Sequence, residues 1–221
     1  MFKHDRVLLF DFETTGLYAM RDQIIEIGAI VLEKKDGQYV ITDELQTLVM
    51  ADGPLPPKIT DITHITDDML LREGISQEEA CHRLLDLYKD EKTLLVAYNI
   101  QFDMGFLTSL FRKYWNQNFW IKNDLLDVMA VYKDRHPYPH RLESAVAVYH
   151  IEEPNTHRAL DDIKATLEVL KCMHEVQPNI ERYVNKIGYN QKYGVSGIKL
   201  PHVTYIAQYG GRREIERTFN V

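Results

Sequence analysis

The sequence predicts an α/β fold in which helices flank a central sheet, followed by a C-terminal extension. Three observations lead there. Short apolar runs of strand length occupy residues 7–10, 24–32 and 93–97. Later stretches repeat apolar residues three and four apart, the spacing of a helix face. Beyond Pro178 the chain turns basic and rich in Gly and Tyr.

In chain order, Val7, Leu8, Leu9 and Phe10 run into Asp11, Phe12 and Glu13, then Thr14-Thr15-Gly16. Such a run reads as a buried central strand, and Asp11 and Glu13, two residues apart, point to one face of it. Burying an unpaired carboxylate costs several kcal/mol, so this pair needs a cation, a proton or an edge position. Gly16-Leu17-Tyr18 turns the chain. Residues 24–32 form a second apolar strand, and Asp36-Gly37 is a hairpin signal into a third over residues 39–50, giving an antiparallel meander. The proline cluster Pro54, Pro56 and Pro57 ends that unit.

Short loop or helical pieces containing residues 62–66 lead to a helix expected over residues 76–89, where Ser76 followed by Glu79 fits a capping box. Residues 93–97 are another buried strand. It passes into Tyr98-Asn99-Ile100-Gln101-Phe102-Asp103, after which Phe106, Leu107, Leu110, Phe111 and Tyr114 recur at helical spacing. Asp103 therefore sits at a strand-to-helix transition. A further strand is expected over residues 120–126, with short helices over 127–132 and 141–149. Trp115 and Trp120 read as packing residues. After a loop over 152–157, residues 158–176 form a strong helix with Leu160, Ile163, Leu167 and Leu170 inward, ended by Pro178.

The bulk numbers set bounds. A chain of 221 residues, 45% hydrophobic and 27% charged, makes a globular domain with an ample core. The expected division is a main domain over 1–178 and an extension over 179–221. Residues 182–221 hold seven Lys/Arg against Glu214 and Glu216, a net +5, whereas the whole chain is −7, leaving −12 on residues 1–181. That balance argues against coating nucleic acid through a broad basic surface, yet a cation-binding site itself supplies acid. Cys81 and Cys172 lie far apart with no CxxC, so neither a disulfide framework nor a zinc knuckle is supported. The start lacks a signal-peptide pattern and no run approaches about 18 apolar residues. The expectation is a cytoplasmic protein without a membrane span.

Acids thus stand at three separate places: Asp11 with Glu13 on a strand, Asp103 after a strand, and Asp161 or Asp162 early in a helix. Four carboxylates converging from there repel unless a cation binds among them, and hard oxygen ligands favour Mg²⁺ or Mn²⁺ over zinc. The words DFETTG at 11–16, YNIQFDMGFL at 98–107 and HRALDDIKAT at 157–166, in that order, resemble the three motifs of the DEDDh family of 3′-to-5′ exonucleases, the proofreading type with an RNase H-like fold. The resemblance spans about residues 5–175.

That resemblance implies a mixed, RNase H-like sheet, two divalent cations held by Asp11, Glu13, Asp103 and Asp162, and His157 as general base. The family's spacing puts the last acid five residues after the histidine, which selects Asp162. Helix geometry agrees, since Asp161 lines up with Lys164 and Glu168 on a polar stripe, and Asp162 with Thr166, Val169 and Met173 beside the apolar face. Thr14, Thr15, Gly16 and Leu17 match the turn that receives the terminal nucleotide. Asn99 and Phe102 match residues that help hold the strand. Ile65, in His64-Ile65-Thr66, resembles a segment that packs on the last sugar and base, although this chain lacks its glycine, and by itself Ile65 is open between a core residue and a substrate wedge; Tyr98 stands where histidine is frequent.

The implied activity is metal-dependent hydrolysis from the 3′ end to 5′-mononucleotides, acting on DNA in proofreading or repair, with single-stranded 3′ ends and a DNA polymerase as partners. An exoribonuclease, and a non-catalytic module that binds nucleic acid or a polymerase, are the alternatives. For the extension, packing on the acidic body and service as a nucleic-acid arm are both open, since Lys/Arg with Tyr can track a single strand.

Overall fold

The opening apolar run forms β1, Arg6–Thr14, the middle strand of a five-stranded sheet in the computed structural model, which describes residues 1–152 and 158–220. Its residues Val7 to Phe10 are at most 1% exposed, and each such side chain contributes about 1.5–3 kcal/mol. That anchors the strand while its far end carries two acids. Antiparallel to it runs β2, Ile24–Lys35, and beside that β3, Gln38–Leu48. Asp36 and Gly37 join them with φ of 51° and 82°, the left-handed pair that a two-residue hairpin turn requires.

Two short helices follow, α1 (Pro57–Thr63) and α2 (Asp67–Glu73), then α3 (Gln77–Tyr88), whose Ser76 cap accepts from the Glu79 N–H at 3.1 Å as the capping box predicts. Next come β4 (Leu94–Ala97), α4 (Ile100–Tyr114), β5 (Leu125–Asp127), α5 (Val128–Arg135), α6 (Leu142–Tyr149) and α7 (Ala159–Val176). The strand β4 lies parallel to β1, and β5 parallel to β4, so the sheet order is β3-β2-β1-β4-β5 and the sheet is mixed.

Alternation along β1 divides the core in two. Phe10 and Phe12 join a cluster with residues of α3 and α4, such as Leu84 and Leu107. Val7 and Leu9 join the opposite cluster, with Val131, Ile163 and Leu170 of α5 and α7. Asp11 and Glu13 share the parity of Val7 and Leu9 and so belong to the α7 side of the sheet.

The fifth strand starts later than the sequence predicts. Asn123, fully buried, takes the place of a ladder residue: its Nδ2 donates to the carbonyls of Asp90 (3.0 Å) and Thr93 (2.8 Å), and its Oδ1 accepts from the Tyr88 hydroxyl. Trp120 stays outside the sheet, half-exposed beneath the Arg112 guanidinium, and Trp115 packs on Phe111 and Phe119 at the end of α4.

The extension is folded onto the body and has structure of its own. It contains a 3-10 turn at Ile180–Tyr183, a parallel pair β6 (Lys186–Tyr189) and β7 (Thr204–Ala207), and a final 3-10 turn at Glu216–Asn220. Asp134 of α5, fully buried, anchors it by accepting from Tyr183 Oη (3.0 Å), Gln208 Nε2 (3.2 Å) and the backbone N–H groups of Ile215 (2.8 Å) and Glu216 (2.9 Å). Its apolar residues are too scattered for a local period, which is why they read as irregular. Among the described residues no helix is long and apolar enough to cross a membrane.

Candidate active site

Because β1 is pleated, Asp11 and Glu13 emerge together on the side where α7 packs. Asp162 enters from the first turn of α7, and carboxylate oxygens of Asp11, Glu13 and Asp162 all lie within 4.8 Å of one another. Asp161 is not part of this group. Asp103, in the first turn of α4, borders it: its Oδ1 accepts from the Phe12 N–H at 3.2 Å, between the two acids of β1.

Crowding shows in the protonation of these groups. Burial, then the Asp162 and Glu26 charges, push Asp11 up to about 8. Glu13 is pushed up to about 9 by burial and by Asp11, Asp162 and Glu26, with Arg158 opposing. Asp103 is raised well above the ordinary carboxylate range, first by burial and then by Asp11, although the Phe12 N–H opposes the shift.

Two features of β2 bring α7 this close. Gly28, paired with Asp11 across the sheet, faces the start of α7, where an added Cβ would lie 2.4 Å from the Ala159 carbonyl carbon. Glu26, paired with Glu13, is fully buried and is held by Arg158, whose Nε lies 3.0 and 3.1 Å from the two carboxylate oxygens and whose Nη2 lies 2.7 Å from one. Glu26 also accepts from the Ala159 N–H at 3.1 Å.

The turn after β1 is tied shut. Thr14 Oγ1 donates to the Gly16 carbonyl (2.7 Å), Thr15 Oγ1 accepts from the Gln23 N–H (3.0 Å), and Asp22 packs where a side chain on Gly16 would stand. Leu17 is left 76% exposed at the tip. Asn99 takes the left-handed conformation at the start of α4, its N–H donating to Asp127 Oδ1, and Phe102 packs against Phe106. Ile65 does not join these residues: it is fully buried with Ile25, Leu48, Leu55 and Leu70 in a satellite core. Those apolar neighbours enclose its side chain, the core reading of the two that the sequence leaves open. His157 lies outside the described residues.

A family model described as exonuclease matches residues 8–170. The chain belongs to the exonuclease family. The matched span contains the three DEDDh motifs. The DNA polymerase III PolC-type of Clostridium perfringens is 31% identical over 216 residues, covering 92% of this chain and 14% of that protein. DNA polymerase III subunit epsilon of Treponema pallidum is 30% identical over 205 residues, covering 84% of this chain and 90% of that one. The fold is similar to that of E. coli exonuclease I solved in complex with a dA16 oligonucleotide, with a TM-score of 0.70 at 21% identity over 81% of this chain and 42% of that one. This exonuclease chain therefore spans a small part of the PolC-type relative and less than half of exonuclease I.

Two buried acids that hold the elements around the acid group escape a reading by motif. Glu26 looks like the one polar position in an apolar strand, and only its parity with Gly28 hints that it faces α7. Asp127 reads only as the first residue of a short helix. It is buried, accepts from the N–H groups of Asn99 and Met129, and so ties the start of α4 to that of α5; burial pushes it up to about 6 against those bonds. Among the described residues the acid group offers carboxylate oxygens, the donor set of a hard divalent cation, and the neighbouring Arg158 guanidinium is paired with Glu26.

Proposed function

We propose that this chain is a metal-dependent 3′-to-5′ exonuclease that hydrolyses DNA from its 3′ end and releases 5′-mononucleotides. The observation that carries the reading is the convergence of Asp11, Glu13 and Asp162 within 4.8 Å, with Asp103 beside them. These four acids would hold two Mg²⁺ or Mn²⁺ ions, which when bound would supply a Lewis acid for water and compensate charge on the phosphate. His157 accepts the proton of the attacking water, the role an imidazole suits near neutral pH. The water oxygen bonds to phosphorus, the P–O3′ bond breaks, and the departing 3′ oxygen takes a proton. Exposed Leu17 and the Phe102 ring flank the terminal base, and the closed turn at Thr14, Thr15 and Gly16 lets backbone approach the last nucleotide, with Asn99 fixing the start of α4.

DNA as substrate and a DNA polymerase as partner are supported by the polymerase III relatives, above all the epsilon subunit, 90% of which is covered; the cytoplasm is the location this reading takes. A 3′-labelled DNA oligonucleotide with Mg²⁺ or Mn²⁺ is expected to yield labelled mononucleotide, and Asp11→Ala to yield none. Equal release by the two proteins rejects the assignment. A matched RNA oligonucleotide consumed faster in the same tube assigns the chain to RNA trimming instead.

A further inference from the structure

The start of α7 has no local cap: Arg158 occupies the N-cap position and its side chain makes no capping bond. The cap comes instead from the sheet. Glu26, fully buried on β2, accepts from the Ala159 N–H and, through both oxygens, from Arg158. Gln46 of β3 adds a donor at 3.1 Å. An anion so placed also favours the positive end of the helix dipole. Arg158 is the residue that joins the His157 segment to α7, and Asp162 follows one turn later.

We infer that Glu26 and Arg158 are a positioning pair. Their fork-to-carboxylate contact fixes the height and rotation of the first turn of α7 against β1, and thereby sets how well Asp162 completes the acid group. Arginine is required because its planar fork meets both carboxylate oxygens, which a lysine cannot do. This inference rests on the reading of the acid group as the cation site. Residues that orient ligands in this way, when altered, typically weaken metal affinity or activity by about 10–100-fold.

The test uses the full chain as wild type, Glu26→Gln, Arg158→Lys and the double variant E26Q/R158M, with melting curves, Mn²⁺ titration calorimetry and turnover of a 3′-labelled oligonucleotide. Glu26→Gln and Arg158→Lys are each expected to weaken Mn²⁺ binding by about tenfold. Their kcat falls by at least about tenfold, with KM changed by less than about threefold. The double variant leaves no unpaired buried charge, so its melting temperature recovers toward wild type while both losses persist. If Mn²⁺ affinity and kcat recover with the melting temperature, the pair is only structural and the inference falls. Wild type that binds Mn²⁺ but releases no nucleotide overturns the exonuclease reading alone, and a weakened Mn²⁺ affinity in Glu26→Gln still upholds the pair. Wild type that binds no Mn²⁺ overturns both.

Discussion

Gly28 lies directly against Ala159: a Cβ built on the glycine would stand 2.4 Å from the Ala159 carbonyl carbon and 2.6 Å from the Leu160 nitrogen. Those are backbone atoms of a helix start, which cannot swing aside as a side chain does. Gly28→Ala must therefore lift the first turn of α7 away from β1, taking Asp162 with it. Overpacking of this kind costs about 1–3 kcal/mol, and a displacement of about 1 Å at a reacting site costs about 100-fold in rate. The expected result is a modest fall in melting temperature with a loss of about 100-fold in turnover per folded molecule. Wild-type turnover in Gly28→Ala counts against this role for the glycine.

The acid group makes the metal-free protein sensitive to alkali. Asp11 and Glu13 are pushed from 3.8 and 4.5 up to about 8 and about 9, so the folded chain keeps protons that the unfolded chain has already released. Their contribution to stability is complete below the ordinary carboxylate range and is lost as pH rises through the raised values. Melting in EDTA is expected to worsen between about pH 5 and 9, and added Mg²⁺ to restore more at the upper end, because cation binding displaces those protons. A melting temperature in EDTA that climbs across this window, or a cation gain that shrinks with pH, contradicts the assignment.

Adjacent acids on α7 stand in different surroundings. Asp162 shares the acid group with Asp11 and Glu13, whereas Asp161 does not. Asp162→Ala is expected to lose at least about 100-fold in kcat and to bind Mn²⁺ more weakly, and Asp161→Ala to stay within about threefold on both. Steady-state rates and calorimetry on the two variants settle the choice, and a severe loss confined to Asp161→Ala reverses it.

Asp134 fastens the extension. Replacing it with alanine strands four donors, from Tyr183, Gln208, Ile215 and Glu216, in a buried place. The expected cost is about 3 kcal/mol, with Asp134→Asn milder because the amide oxygen still accepts. Denaturant unfolding measures this. Deleting residues 182–221 is likewise expected to destabilise the body, since buried Tyr183, Ile187 and Ile215 leave with them. An unchanged unfolding midpoint in both variants makes the extension a separable arm.

Much of this protein is legible in one dimension. The strand β1, the Asp36-Gly37 hairpin, the cap of α3 and the helix α7 depend on neighbours two to four residues away, and the sequence displays those neighbours directly. Period two alone puts Asp11 and Glu13 on one face, and the three motifs name the remaining acids. The late start of β5 was hidden because Asn123 satisfies backbone groups of another loop, an exchange with no local pattern. Ile65 stays open in the sequence for the same kind of reason: a wedge and a core residue look alike until the partners Ile25 and Leu48 are known.

What the sequence determined by itself was therefore the inventory of the main domain: the strands and helices that carry the acids, and which acids those are. Only the tertiary structure decided that Asp162 comes within 4.8 Å of Asp11 and Glu13, that the missing Cβ of Gly28 lets it, and that Glu26 is answered by Arg158, 132 residues away. The reason is physical. Secondary structure follows from short-range sterics and periodic burial, whereas a buried charge is stable only beside its compensating partner, and that partner is fixed by packing between elements distant in the chain.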